Sequence, residues 1–246
     1  MIDAPALPTT RTRPAAEVTG PPVVLVHGFV TGGAVDFPAE RWAEPLAAAG
    51  REAVVVHLPG HPGGPAVGSA DEVGTAHLLR RLAAGIAAEG SGEVDVIGYS
   101  LGARLAWDLA ATGVLPVRRL VLGGLSPMEP FAAVDLAAAR AAVRGGPAPA
   151  DPLTGMITGM VSGPDRDADS LLLVVEGLAR EPFDPTARVP QVPTLFLAGL
   201  DDPMSQGVDQ LVAGVPGARL QRVPGDHFGA LAGDELRAAA FEFLGV

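Results

Sequence analysis

The sequence predicts an α/β fold, a mostly parallel sheet covered by helices, and three observations lead there. Short apolar runs rich in β-branched residues alternate with longer Ala- and Leu-rich runs of helical period, as parallel strands buried on both faces and their covering helices require. The 246 residues, 48% of them hydrophobic, suffice for one large core. Glycines stand where helical runs end, at Gly50, Gly90 and Gly113.

In chain order, residues 1–20 read as a Pro- and Thr-rich tail, "MIDAPALPTTRTRPAAEVTG", without the apolar core of a signal peptide. Strands are expected at Val23–Val26, Val54–His57, Val94–Ile97, Leu120–Leu122, Thr194–Ala198 and Leu220–Val223. Helices are expected at Glu40–Ala49, Asp71–Glu89, Leu101–Ala111, Gln206–Val212 and Asp234–Leu244. Residues 130–192 break the alternation and read as a helical cap inserted into a core formed by 21–129 and 193–246. Within the cap, "TGMITGMVSG" spaces Gly155, Gly159 and Gly163 four apart, which reads as a weakly stable, Met-bearing lid helix because the segment is too short to span a bilayer.

Charge and composition exclude several classes. With 28 acidic residues against 17 basic ones, all Arg, the net charge of −11 disfavours nucleic acid and anionic membrane surfaces. The missing signal-peptide core makes cytoplasmic residence the default expectation, and no apolar run approaches membrane-spanning length, so a soluble protein is expected. Cysteine is absent, which removes disulfides, thiolate metal sites and a cysteine nucleophile. His57 and His61 lie four apart, but "HLPGHP" cannot be helical, so no metal pair is expected there.

The chemistry concentrates in "VDVIGYSLGARLAWDLA". Strand, then Gly98-Tyr99-Ser100-Leu101-Gly102, then a helix with Leu101, Leu105 and Leu109 on one face is the nucleophile-elbow pattern. The two glycines permit a bend at which larger side chains would collide, and the strained turn lifts the Ser100 hydroxyl above the strand end. A serine hydroxyl needs a base and a group to orient that base. His227 in "GDHFG", in the loop before the last helix, is the best base; Asp201 and Asp202 in "AGLDDP" are candidate acids, with Glu129 more remote.

With "VVLVHGF", "HLPGH", "GYSLG", "AGLDDP" and "GDHFG" in order, the chain resembles the α/β-hydrolase superfamily from about residue 20 to residue 246. The resemblance implies Ser100, Asp202 and His227 as catalytic residues, the acid being placed by the family's G-x-x-D after Gly199. It also implies backbone N–H groups of Phe29 and Leu101 as oxyanion donors, His27 as a brace of that loop, and no cofactor or metal. His57 departs from the family's usual aspartate at a structural turn. The expected activity is that of a carboxylic-ester hydrolase on a small, apolar ester or lactone. Thioester, carbon–carbon or perhydrolase chemistry and a catalytically weak ligand-binding protein are the alternatives. Tyr99, Met128, Phe131, Met156, Met160, Met204 and Phe228 are expected to border the substrate, joined by the cap run Leu171–Val175. Oligomeric state is not legible.

Overall fold

The computed structural model describes residues 5–87 and 92–246, so Glu89 and Gly90, expected to close a helix, lie outside the described residues. Seven strands form one sheet: β1 (Thr9–Thr12), β2 (Val23–Val26), β3 (Ala53–Val56), β4 (Val94–Tyr99), β5 (Val117–Gly123), β6 (Thr194–Gly199) and β7 (Arg219–Val223). They lie in the order β1-β3-β2-β4-β5-β6-β7, with only β1 antiparallel to its neighbour. Every residue of β2, β3, β4 and β6 is buried, which is why these segments read as continuous apolar runs.

The tail expected over residues 1–20 is corrected in part. Thr9 to Thr12 pair with Val56 to Ala53 and close one edge of the sheet. A polar strand on an edge needs no apolar alternation, so "TTRT" carries little periodic signal. Thr10 Oγ1 and His57 Nε2 lie 2.8 Å apart, so the residue that departs from the family's aspartate anchors this edge strand.

The helices are α1 (Gly33–Asp36), α2 (Ala43–Ala48), α3 (Thr75–Ala87), α4 (Leu101–Thr112), α5 (Leu136–Val143), α6 (Pro152–Val161), α7 (Ala168–Arg180), α8 (Val208–Gly214), α9 (His227–Ala232) and α10 (Asp234–Leu244). Alternation along the strands divides the core into two layers. Val24, Val26, Val94 and Val96 pack on one face with Leu78 and Leu82 of α3 and Leu105 and Leu109 of α4. Val23, Leu25, Ile97 and Tyr99 pack on the other with Leu46 of α2 and Leu236, Ala240 and Leu244 of α10.

Between β5 and β6 the chain forms α5, α6 and α7. Each starts at an aspartate, Asp135, Asp151 or Asp167, whose side chain accepts a backbone N–H from the first turn; such a cap contributes about 1 kcal/mol. Leu171, Leu172, Val174 and Val175 of α7 are buried in the same core layer as α4. Their expected place beside the substrate is therefore corrected, because the apolar stripe of α7 serves to seat it on the core.

Candidate active site

β4 ends at Tyr99 and α4 begins at Leu101, leaving Ser100 at the junction with φ 53° and ψ −116°. A non-glycine residue in this region stores backbone strain. The neighbours hold it: the Ser100 N–H donates to Gly123 O at 2.8 Å. A Cβ on Gly98 would lie 2.3 Å from Gly102 O, and one on Gly102 would lie 1.9 Å from Val26 O, so both positions require glycine for backbone approach.

His227 is the first residue of α9 and not a loop residue as expected. Asp226 caps this six-residue helix by accepting from the N–H groups of Phe228 and Gly229, a segment too short for helical periodicity to register. His227 Nδ1 donates to Asp202 Oδ2 at 2.9 Å, which leaves Nε2 as the free ring nitrogen. The Asp202 carboxylate, buried at the end of β6, also accepts from Ser205 Oγ at 2.7 Å and from the Met204 N–H at 2.8 Å. Burial alone would raise its pKa, but the hydrogen bonds from His227, Ser205 and Met204 outweigh burial and hold the carboxyl below its ordinary value. Asp201 is exposed. Glu129 pairs with Arg104.

Tyr99 is corrected. Position 99 points to the sheet face opposite α4, and its phenolic O–H donates to His227 O at 2.5 Å. It braces the segment carrying His227 from below instead of bordering the substrate.

The loop after β2 is held just as tightly. His27 is buried, with Nδ1 2.9 Å from Gly28 O and Nε2 accepting from the Leu58 N–H at 3.2 Å. Burial, aided by nearby His61, lowers its pKa to about 3, so it is a neutral brace. Asp36, which sequence reasoning did not single out, accepts from the Gly28 N–H at 2.7 Å and from Thr31 Oγ1 at 2.8 Å. A Cβ on Gly28 would lie 3.4 Å from Ser100 Cβ, so this loop passes directly beside the serine.

Ser100 and His227 line one cavity of about 290 Å³. Among the described residues no direct hydrogen bond joins them; bonds of this kind commonly tighten around bound substrate. Phe29, Leu101, Met128, Phe131, Met156, Met160, Met204 and Phe228, all expected near the substrate, line the same cavity. So do Arg104, Leu125, Ile157 and Phe183, which were not anticipated, and Glu129, expected only as a remote candidate acid. Leu125 lies just past the end of β5, where loops at the C-terminal ends of parallel strands border ligand sites. Arg104 lies one helical turn after Ser100, an i,i+4 relation visible in sequence once the elbow is found. Met128, Met156 and Phe228 are exposed and form an apolar rim at the mouth.

A family model described as the alpha/beta hydrolase family matches residues 23–239. No curated protein matches the sequence. Among solved structures, the chain is similar to the enol-lactonase from Burkholderia xenovorans, with TM-score 0.72 and 17% identity over 98% of this chain and 96% of that one. A hydrolase from Pseudomonas aeruginosa gives TM-score 0.70 and 21% identity over 97% and 94% of the two chains. For a structure from a study of carboxylesterases of Nitrososphaera gargenis the values are 0.69 and 17% over 96% and 93%. At these identities the likeness is one of fold. The family model, however, runs from the first parallel strand into the last helix, and the protein belongs to the alpha/beta hydrolase family.

Proposed function

We propose that the protein is a serine hydrolase that cleaves a small, apolar carboxylic ester or lactone through an acyl-enzyme. The observation that carries this reading is the hydrogen bond between buried Asp202 and half-buried His227, opening onto the same cavity as a strained Ser100. His227 Nε2 takes the Ser100 proton as the hydroxyl adds to the acyl carbonyl, while Asp202 fixes the tautomer and stabilises the imidazolium. The N–H groups of Phe29 and Leu101 stabilise the oxyanion, one on the braced loop and the other at the start of α4. His227 returns the proton to the leaving alcohol and then activates water to release the acid, so no cofactor enters the cycle. Four phenylalanines and the Met side chains around the cavity favour an apolar acyl group over a charged one. The partner is thus a small molecule.

A fluorophosphonate probe followed by peptide mass spectrometry tests the assignment. Labelling at Ser100 is expected, to vanish in Ser100→Ala and to slow by about 10³-fold or more in His227→Ala. An adduct elsewhere, or undiminished labelling in His227→Ala, would remove the proposed mechanism.

A further inference from the structure

One pair of charges stands in the wall of this apolar cavity. Arg104 and Glu129 are both nearly excluded from solvent, with side chains 5% and 8% exposed, and Arg104 Nη1 lies 2.6 Å from Glu129 Oε2. The remaining bonds of the two residues run to both ends of the inserted helices. Glu129 Oε1 accepts from the Phe131 N–H at 2.7 Å, where the chain leaves β5 for the cap, and Oε2 accepts from the Phe183 N–H at 2.9 Å, where it returns. Arg104 Nη2 donates to Glu181 O at 2.7 Å and to Thr75 Oγ1 at 3.0 Å, fastening the returning segment to α3 and α4. Phe131 and Phe183, the two residues whose backbones the carboxylate holds, both present side chains to the cavity. The Phe131 ring meets Phe29 at 5.2 Å, and Phe183 is backed by Trp107 at 5.7 Å.

We infer that the Arg104–Glu129 pair is a specificity device: it positions Phe131 and Phe183, and through them sets which acyl groups the cavity accepts. This inference rests on the acyl-enzyme reading above. A buried ion pair is a weak source of net stability, and an apolar pair of similar volume serves packing as well or better. Direction is what the charges supply. A carboxylate offers two oxygens to two N–H donors from segments about fifty residues apart, and the Arg104 guanidinium, with Nη1 against Oε2, holds that carboxylate in place. With the pair gone, the two phenylalanines keep their apolar neighbours but lose the bonds that fix their backbones. The end of the cavity then yields to acyl chains of different length.

The test compares wild type with Arg104→Met/Glu129→Leu, which replaces both charges and so avoids leaving one buried and unpaired. Acetyl to octanoyl 4-nitrophenyl esters are assayed, and amide hydrogen exchange is followed at Phe131 and Phe183. The largest kcat/KM ratio across the ester series is expected to shrink by about tenfold, the scale of a one-methylene discrimination, with the change carried mainly by KM. Exchange at the two amides is expected to quicken by a similar factor. Arg104→Met/Glu129→Gln, which returns one acceptor oxygen, is expected to recover part of the selectivity. A series in which every ester loses activity by the same factor would reduce the pair to a structural prop, and freed amides with an unchanged ratio would separate it from specificity. Either result overturns the inference while leaving the hydrolase reading intact. A wild type that turns over no ester and takes no fluorophosphonate would instead overturn that reading, and this inference with it.

Discussion

The strain at Ser100 is held by contacts that reach well beyond the serine. A positive φ at a non-glycine residue costs on the order of 1 to 3 kcal/mol, and here the Gly123 carbonyl and two sterically required glycines hold it. Tyr99 belongs to the same support, since its O–H reaches the His227 carbonyl from beneath the sheet. Tyr99→Phe is expected to lower kcat by about three- to tenfold with KM nearly unchanged, and to cost about 1 kcal/mol of stability, the worth of one buried hydrogen bond. Steady-state kinetics with a urea titration checks both, and a variant with wild-type kcat would mean that Asp202 alone orients the ring. Ser100, Asp202 and His227 were legible in sequence because each sits in a short pattern of glycines or turn residues beside a strand end. Asp36 and Arg104 were not, because their value lies in partners distant along the chain: Asp36 grips the Gly28 amide, and Arg104 pairs with Glu129. Tyr99, although next to Ser100 in sequence, follows the alternation of β4 and so faces the layer opposite α4.

Among the elements, those with a strong period were legible and those defined by partners were not. The central strands and α4 and α10 stood out as continuous apolar runs or helical stripes close to their observed bounds, whereas α2, expected over Glu40–Ala49, is the shorter Ala43–Ala48. The edge strand β1 is polar, and α9 is one short turn started by Asp226, so neither has enough residues of one period to register. The cap helix α6 shows the converse, a segment whose sequence predicts weakness inside a formed helix. A Cβ on Gly155 or on Gly159 would meet nothing within 4 Å, so neither glycine is there to let another backbone approach. Each glycine lowers helix stability by about 0.8 to 1 kcal/mol relative to alanine. Gly155→Ala and Gly159→Ala are therefore each expected to raise the unfolding free energy by about that amount, measured by urea denaturation. No gain would mean that the cap opens independently of the core, as low-stability units do. Hydrogen exchange in α6 would then quicken relative to α4, the helix it faces across the cavity.

On the scale of the whole molecule, buried histidines make stability depend on pH in a direction that can be worked out. Burial lowers His61 to about 4, and burial together with nearby His61 lowers His27 to about 3; an unfolded histidine titrates near 6.5. Between about pH 6.5 and 4 the unfolded chain binds protons at these two positions while the folded chain stays neutral there. Stability from both is thus complete above the unfolded value and is lost as pH falls, by up to about 1.4 kcal/mol per pH unit for each residue. Asp108 works the other way. Its burial, partly offset by Arg104, raises its pKa to about 6, so the folded state holds a proton there that the unfolded state releases, and this contribution grows as pH falls below 6. The wild-type slope mixes these opposing contributions, and a difference between variants separates them. Plotted from pH 6 to pH 5, the unfolding free energy of wild type minus that of His61→Gln is expected to fall by about 1.2 kcal/mol, because the variant has lost one group that protonates only on unfolding. Urea titrations at half-unit intervals read this directly. A flat difference would show that the folded protein takes up the proton at His61 as readily as the unfolded one. That would require the Nε2 proton to find an acceptor, where among the described residues Nε2 is buried without a partner.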